Sequence, residues 1–272
     1  MSVPPPRLAV LAARDASVAV VVRRGPTDWA RLSLWDTATD EVEHGGWIHA
    51  RVPWRRCDLS PDGRLFVAFV ADHGRDPDAP LRDTWVAISR PPWWYALALW
   101  FNGTTWDCGG FFPDASSCAV GSGVPDAGDV PAWFDTDAPI PEPRPGPAWT
   151  DVTVPHNRRV RDGWTEVRSG WWERRLATPG GVAVAREHVD GGVHVDNEVA
   201  LQWGDDLLAL PPGASLDVDA SGRALVAREG RLEVHLGPDE VVVVDDLGQQ
   251  RPTPRPSPPW ARSWPGPPVH QG

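Results

Sequence analysis

Three observations predict an all-β fold built from small repeated sheets. A polar turn followed by a short apolar strand recurs along the chain. It reads "RDASVAVVV" from Arg14, "SPDGRLFVAF" from Ser60, "FPDASSCAV" from Phe112, "TPGGVAVAR" from Thr178 and "DASGRALVA" from Asp219. The turn centres fall near residues 16, 63, 115, 181 and 222, at intervals of about 47, 52, 66 and 41 residues. Removing roughly twenty residues from the long interval brings it near the ~40–45 of a four-stranded blade. Finally, no segment of ten or more residues carries helical periodicity. The expectation is a single β-propeller-like domain over residues 1–250, with about five or six four-stranded blades. A Pro-rich insertion spans about 121–150, and a Pro-rich tail follows at 251–272.

Each repeat has local physical causes. Asp and Ser side chains accept from backbone amides two residues on, Pro61 presets its own φ, and Gly63 and Gly222 supply a positive φ that a Cβ resists. The Val, Leu, Phe and Ala residues that follow suit strands packed between sheets. Between the turns lie further strand candidates: "ARLSLWD", "DTWVAISR", "ALALW", "GVHVDNEVALQW", "RLEVHL" and "EVVVVDD". The stretch "GWTEVRSGWWERRL" reads either as one short helix or as two strands. In the tail, Pro removes donors at nearly every second position. It should be extended and polyproline-like, serving as a linker or as a ligand for an aromatic-lined groove.

Superposing "CDLSPDGRLFVAFVA" (57–71) on "LDVDASGRALVAREG" (216–230) pairs Asp58 with Asp217, Gly63 with Gly222 and Arg64 with Arg223. Asp217, Asp219 and Ser221 before Gly222 have the spacing of a calcium loop. The twelfth position, which should carry a bidentate Glu, holds Arg228. The pattern is therefore read as a blade turn. "RLSLWDTATDEV" (31–42) resembles the closing strand of a WD40 repeat, with Trp35–Asp36 as its dipeptide. "SPDGRLFVAF" resembles the strand that opens the next unit, a pattern shared with TolB-like propellers. The likeness covers residues 8–71 well and the remainder only through the turns. It implies a scaffold for partners, not a particular reaction.

Composition narrows the function. The net charge is -11, and all 26 basic residues are Arg, which argues against a nucleic-acid partner because phosphate binding draws on a basic face. Arg158, Arg159 and Arg161 form a local basic group read as a solvated loop. Cys57, Cys108 and Cys118 lack the paired spacing of a zinc site and are read as buried thiols, with a 108–118 bridge as the alternative. The N-terminus holds one Arg before a short apolar run broken by Asp15, unlike a secretory signal. No stretch approaches the ~18–20 apolar residues of a membrane span. A soluble, cytoplasmic protein is expected.

Two groups remain as candidate sites. His194, Asp196 and Glu198 would share one face of a strand, with His188 across a Gly191–Gly192 turn, and could hold a divalent metal or move protons. Alternation with Val193, Val195 and Val199 explains the same pattern, so no metal or other cofactor is expected. "HGGWIH" from His44 resembles the Gly-rich oxyanion motif of esterases, yet Ser122 lacks a Gly-x-Ser-x-Gly frame. The 17 Trp residues are the anomaly. "PPWWYALALWFNGTTWDCGG" concentrates Trp93, Trp94, Trp100 and Trp106, which read equally as binding anchors or as core. Trp133 and Trp149 of the insertion, with Trp260 and Trp264 of the tail, would dock back on the domain or meet a partner. The expectation is a non-catalytic interaction module with a protein partner. A metal-assisted hydrolase or lyase, or a propeller binding a glycan or small molecule, is the alternative.

Overall fold

The computed structural model describes residues 4–25, 28–72, 74, 83–103, 105, 109–121, 124–126, 129–139, 153–188 and 198–268. Its first sheet is an antiparallel meander of β1 (Arg7–Ala12), β2 (Val18–Arg24), β3 (Trp29–Asp36) and β4 (Glu41–His49). A second meander follows with β5 (Asp58–Leu59), β6 (Phe66–Ala71), β7 (Thr84–Ser89) and β8 (Ala98–Phe101). The chain then makes a hairpin, β9 (Gly110–Asp114) and β10 (Ser117–Val120), and returns as β11 (Val124–Asp126) to pair with β8. One α-helix, α1 (Thr153–Arg161), precedes a five-stranded sheet. That sheet comprises β12 (Thr165–Arg168), β13 (Trp171–Thr178), β14 (Gly181–His188), β15 (Glu198–Trp203) and β16 (Asp206–Ala209). The last sheet is β17 (Ser215–Val218), β18 (Ala224–Arg228), β19 (Arg231–His235) and β20 (Val241–Asp246). The fold is thus all-β with several small antiparallel sheets, none closed into a barrel.

The five recurring turns are the links β1–β2, β5–β6, β9–β10, β13–β14 and β17–β18. In the second and fifth the chemistry is local and repeated. Ser60 Oγ donates to Asp62 Oδ1 and accepts from the Arg64 amide; Asp219 Oδ1 accepts from the Ser221 and Arg223 amides. Gly63 and Gly222 sit at φ 73° and 88°, the left-handed region where a Cβ is resisted.

Alternation along the strands explains how the sheets stack. Successive strand side chains point to opposite faces. Val20 and Val22 therefore pack with Phe66, Ala68 and Val70 of the second sheet, while Ala19 and Val21 pack with Leu225, Leu232 and Val234 of the last. The other face of β6, with Val67 and Phe69, meets Phe112 and Cys118 of the hairpin. The other face of the last sheet, with Leu216, Val218 and Val226, meets Ala185, Leu201 and Trp203. With both faces covered, β2 and β6 read as continuous apolar runs and not as alternating ones. Each fully buried Val, Leu or Phe contributes about 1.5–3 kcal/mol.

The structure decides one reading left open by the sequence, adds a short helix, and corrects two expectations, those for the insertion and the tail. "GWTEVRSGWWERRL" forms two strands, β12 and β13, joined through Gly170 at φ 77°. The segment before it is helical for nine residues, too short for a ten-residue periodicity. Three arginines in its last turn and Gly163 at φ 80° were its signals. The insertion is not all surface excursion either. β11 extends the second sheet, Phe134 is buried beside Phe112, and Asp135 and Asp137 bridge to β10. The tail makes one 3-10 turn, Pro259–Arg262, with Pro at its first position, where the missing donor costs nothing.

Candidate functional site

The Trp run is split between core and surface. Trp93 and Trp100 are 7% and 8% exposed, and Trp100 packs among Leu97, Phe112 and Phe134. Trp94 is half-buried against Phe66 and donates its Nε1 to the Gly46 carbonyl at 3.0 Å. Gly45 and Gly46 permit this approach: a Cβ on Gly45 would lie 1.9 Å from the Pro92 carbonyl oxygen. The "HGGW" motif is thus a close-packing site for "PPWW". Trp106 lies outside the described residues, as do His194 and Asp196. Glu198, the remaining member of the acidic trio, is exposed on β15 and pairs in register with His188. Among the described residues no group of three or more His, Cys, Asp or Glu is placed to hold a metal ion.

Two equivalent carboxylates tie the sheets together at edge strands. Asp217 Oδ2 accepts from the Ala12 amide on β1, and Asp58 Oδ2 accepts from the Phe112 amide on β9. Each satisfies an edge N–H that no strand ladder reaches. Burial pushes both carboxyls up from their ordinary range, with Arg161 pulling Asp58 back and Arg158 acting likewise on Asp217. Arg161, from the end of α1, reaches Asp58 at 2.6 Å, Asp162 at 2.7 Å and the Phe112 carbonyl at 2.8 Å. Burial works against its charge, but Asp58 and Asp162 outweigh it and hold the guanidinium above its usual range. The arginines read as a solvated loop are therefore internal: Arg159 pairs with Glu187, and Arg158 lies over the Trp54 ring at 6.0 Å.

His44 joins the first sheet to the last. Its Nδ1 lies 3.2 Å from Ser33 Oγ, and its Nε2 lies 3.1 Å from Asp245 Oδ2. The residue types are those of a hydrolytic triad, but Ser33 is fully buried and presents no hydroxyl to a substrate. Burial, then Arg31, push His44 below its ordinary pKa. Nε2 also lies 3.1 Å from Gln250 Nε2, so the ring is held between Ser33, Asp245 and Gln250 as a structural clamp.

A surface strip across the first and second sheets has different properties, because it holds another chain segment. Residues 251–268 run over it without joining any sheet. Arg90 donates to the carbonyls of Trp260 at 2.8 Å and Ser263 at 3.4 Å, and Arg64 donates to that of Gly266 at 2.9 Å. In return Arg255 donates to the His44 carbonyl and lies over the Trp93 ring at 5.7 Å. Arg262 lies over Tyr95 at 6.0 Å. At the far end Trp264 meets Trp133 edge-on and packs tilted on Phe134, 5.0 Å between centroids. Trp133 and Trp264, singled out in the sequence, thus meet each other. Trp149 lies outside the described residues.

Comparison with known proteins returns no matching family model, no matching curated protein and no matching solved structure. Among the described residues no helix is long and apolar enough to cross a membrane.

Proposed function

We propose that the chain is a non-catalytic interaction scaffold of β-propeller-like form, binding a protein partner through the strip lined by Arg64, Arg90, Trp93, Tyr95, Trp133 and Phe134. Five turn-strand units support the architectural part. Four sheets of four or five strands and the smaller β9–β10 hairpin stack face to face, and α1 contacts both β5–β9 and the β13–β14 sheet. On this reading α1 closes a ring of five blades, the hairpin being a reduced one, as the WD40-like and TolB-like resemblance implies. The observation that carries the interaction role is the strip's hold on an extended Pro-rich segment by arginine donors and aromatic slots. Recognition of that kind needs no strand pairing.

The test is affinity capture from the native host with the full chain as bait and mass spectrometry as readout. A partner retained by wild type and by the distant surface variant Arg175→Ala, and lost with Arg64→Ala/Arg90→Ala, is the expected result. A partner profile indifferent to the strip would overturn the assignment.

A further inference from the structure

We infer that the strip is a groove for Arg-containing, Pro-rich, extended segments of a partner, and that residues 251–268 occupy it as a competing ligand in cis. The inference rests on the scaffold reading above and names its partner class. The tail is attached as a bound peptide would be. It has no ladder with the sheets, and its internal backbone bond, Ala261 to Pro258, belongs to its own 3-10 turn. A polyproline-like chain has no internal hydrogen bonds, so its carbonyls are free for outside donors. Pro258 has that conformation, at φ -66° and ψ 160°, and farther along Arg64 and Arg90 donate to the carbonyls of Gly266, Ser263 and, within the 3-10 turn, Trp260. Most of the tail is exposed; Ala261 and Pro265 are its buried points, with Trp264 half-buried between Trp133 and Phe134.

The segment's arginines narrow the ligand further. Residues 251–268 carry Arg251, Arg255 and Arg262 and no Asp or Glu, so all 37 acidic residues lie in the rest of the chain. Arg31 beside Arg255 and Arg23 beside Arg251 oppose the segment's charge, so what holds its arginines is ring contact: Arg255 and Arg262 add cation–π contacts to Trp93 and Tyr95. Because the tail is tethered, it faces the groove at an effective concentration on the order of millimolar. A partner segment must displace it, which sets a threshold for binding.

The probe is a labelled synthetic peptide of residues 251–268, followed by fluorescence anisotropy against full-length proteins. Trp264→Ala, which loosens the tail in cis, should bind the probe roughly tenfold more tightly than wild type. The triple variant Trp264→Ala/Arg64→Ala/Arg90→Ala should lose that gain. Arg255→Ala/Arg262→Ala is a second release variant, exposed and remote from the core, for use if Trp264→Ala disturbs folding. No probe binding by a natively folded release variant would overturn the groove. Equal binding by wild type and both release variants would overturn competition in cis, and an unaffected triple variant would overturn the assigned donors. Probe binding without any partner captured from the host supports the groove and removes the scaffold reading. Partner capture without probe binding does the reverse.

Discussion

Gly63 and Gly222 occupy the same place in two equivalent turns, yet the structure predicts different costs for adding one methyl. Both have positive φ, so Ala at either position incurs about 1–2 kcal/mol of left-handed backbone strain. The surroundings differ. A Cβ on Gly222 would find its nearest neighbour, the Ala177 carbonyl oxygen, at 3.8 Å, an ordinary contact. A Cβ on Gly63 would lie 2.1 Å from Val18 Cγ2. Val18 begins β2 and is β-branched, so its χ1 has little freedom to retreat. Overpacking of this kind costs about 1–3 kcal/mol. Gly222→Ala should therefore lose about 1–2 kcal/mol and Gly63→Ala about 2–5 kcal/mol. The reduction in unfolded-chain entropy is common to both and cancels in the comparison. The assay is urea denaturation followed by Trp fluorescence, with the midpoints compared at constant m. A difference of about 1–3 kcal/mol corresponds to a gap on the order of 5 °C in Tm at this size. Val18→Ala combined with Gly63→Ala should narrow the gap, since it removes the clashing methyl. Equal losses in the two glycine variants, or no relief from Val18→Ala, would refute the turn geometry.

Arg161→Met should cost about 3–5 kcal/mol by stranding the buried Asp58 carboxylate. Adding Asp58→Asn, which keeps an acceptor for the Phe112 amide, should recover part of that loss in a double-mutant cycle of unfolding free energies. His44 and His235 are both pushed below the ordinary 6.5, chiefly by burial. Their unfolded forms thus bind protons first, and the stability they support is present above about pH 6.5 and declines as pH falls towards their folded values. The pH slope of wild type minus that of His235→Gln should have this sign, and a flat difference would show that His235 does not titrate on unfolding. Burial pushes the Cys57 thiol up to about 12 and Cys118 well above its usual value. At most one of the three thiols should then react with a disulfide reagent in the native protein, and all three should react in denaturant.

What could be read along the chain is what depends on neighbours in sequence. The Asp–Ser–Gly turns are made of hydrogen bonds that span two to five residues, as at Ser60–Leu65 and Asp219–Arg223. Their recurrence exposed the repeated strand unit and the all-β class. Strand residues such as Val20 and Val67 declared themselves as buried, though not what they face. Tertiary structure alone decided the rest, because the contacts join positions far apart. Asp58 and Arg161 are 103 residues apart, Arg90 and Trp260 are 170 apart, and Arg64 and Gly266 are 202 apart. No local pattern separates an arginine that will be buried in an ion pair from one left in water. Tryptophan is ambiguous for the same reason: its large apolar surface and single donor suit a core slot, as at Trp100, and a surface contact, as at Trp264. Which of the two it serves is set by the sheet or tail that arrives against it.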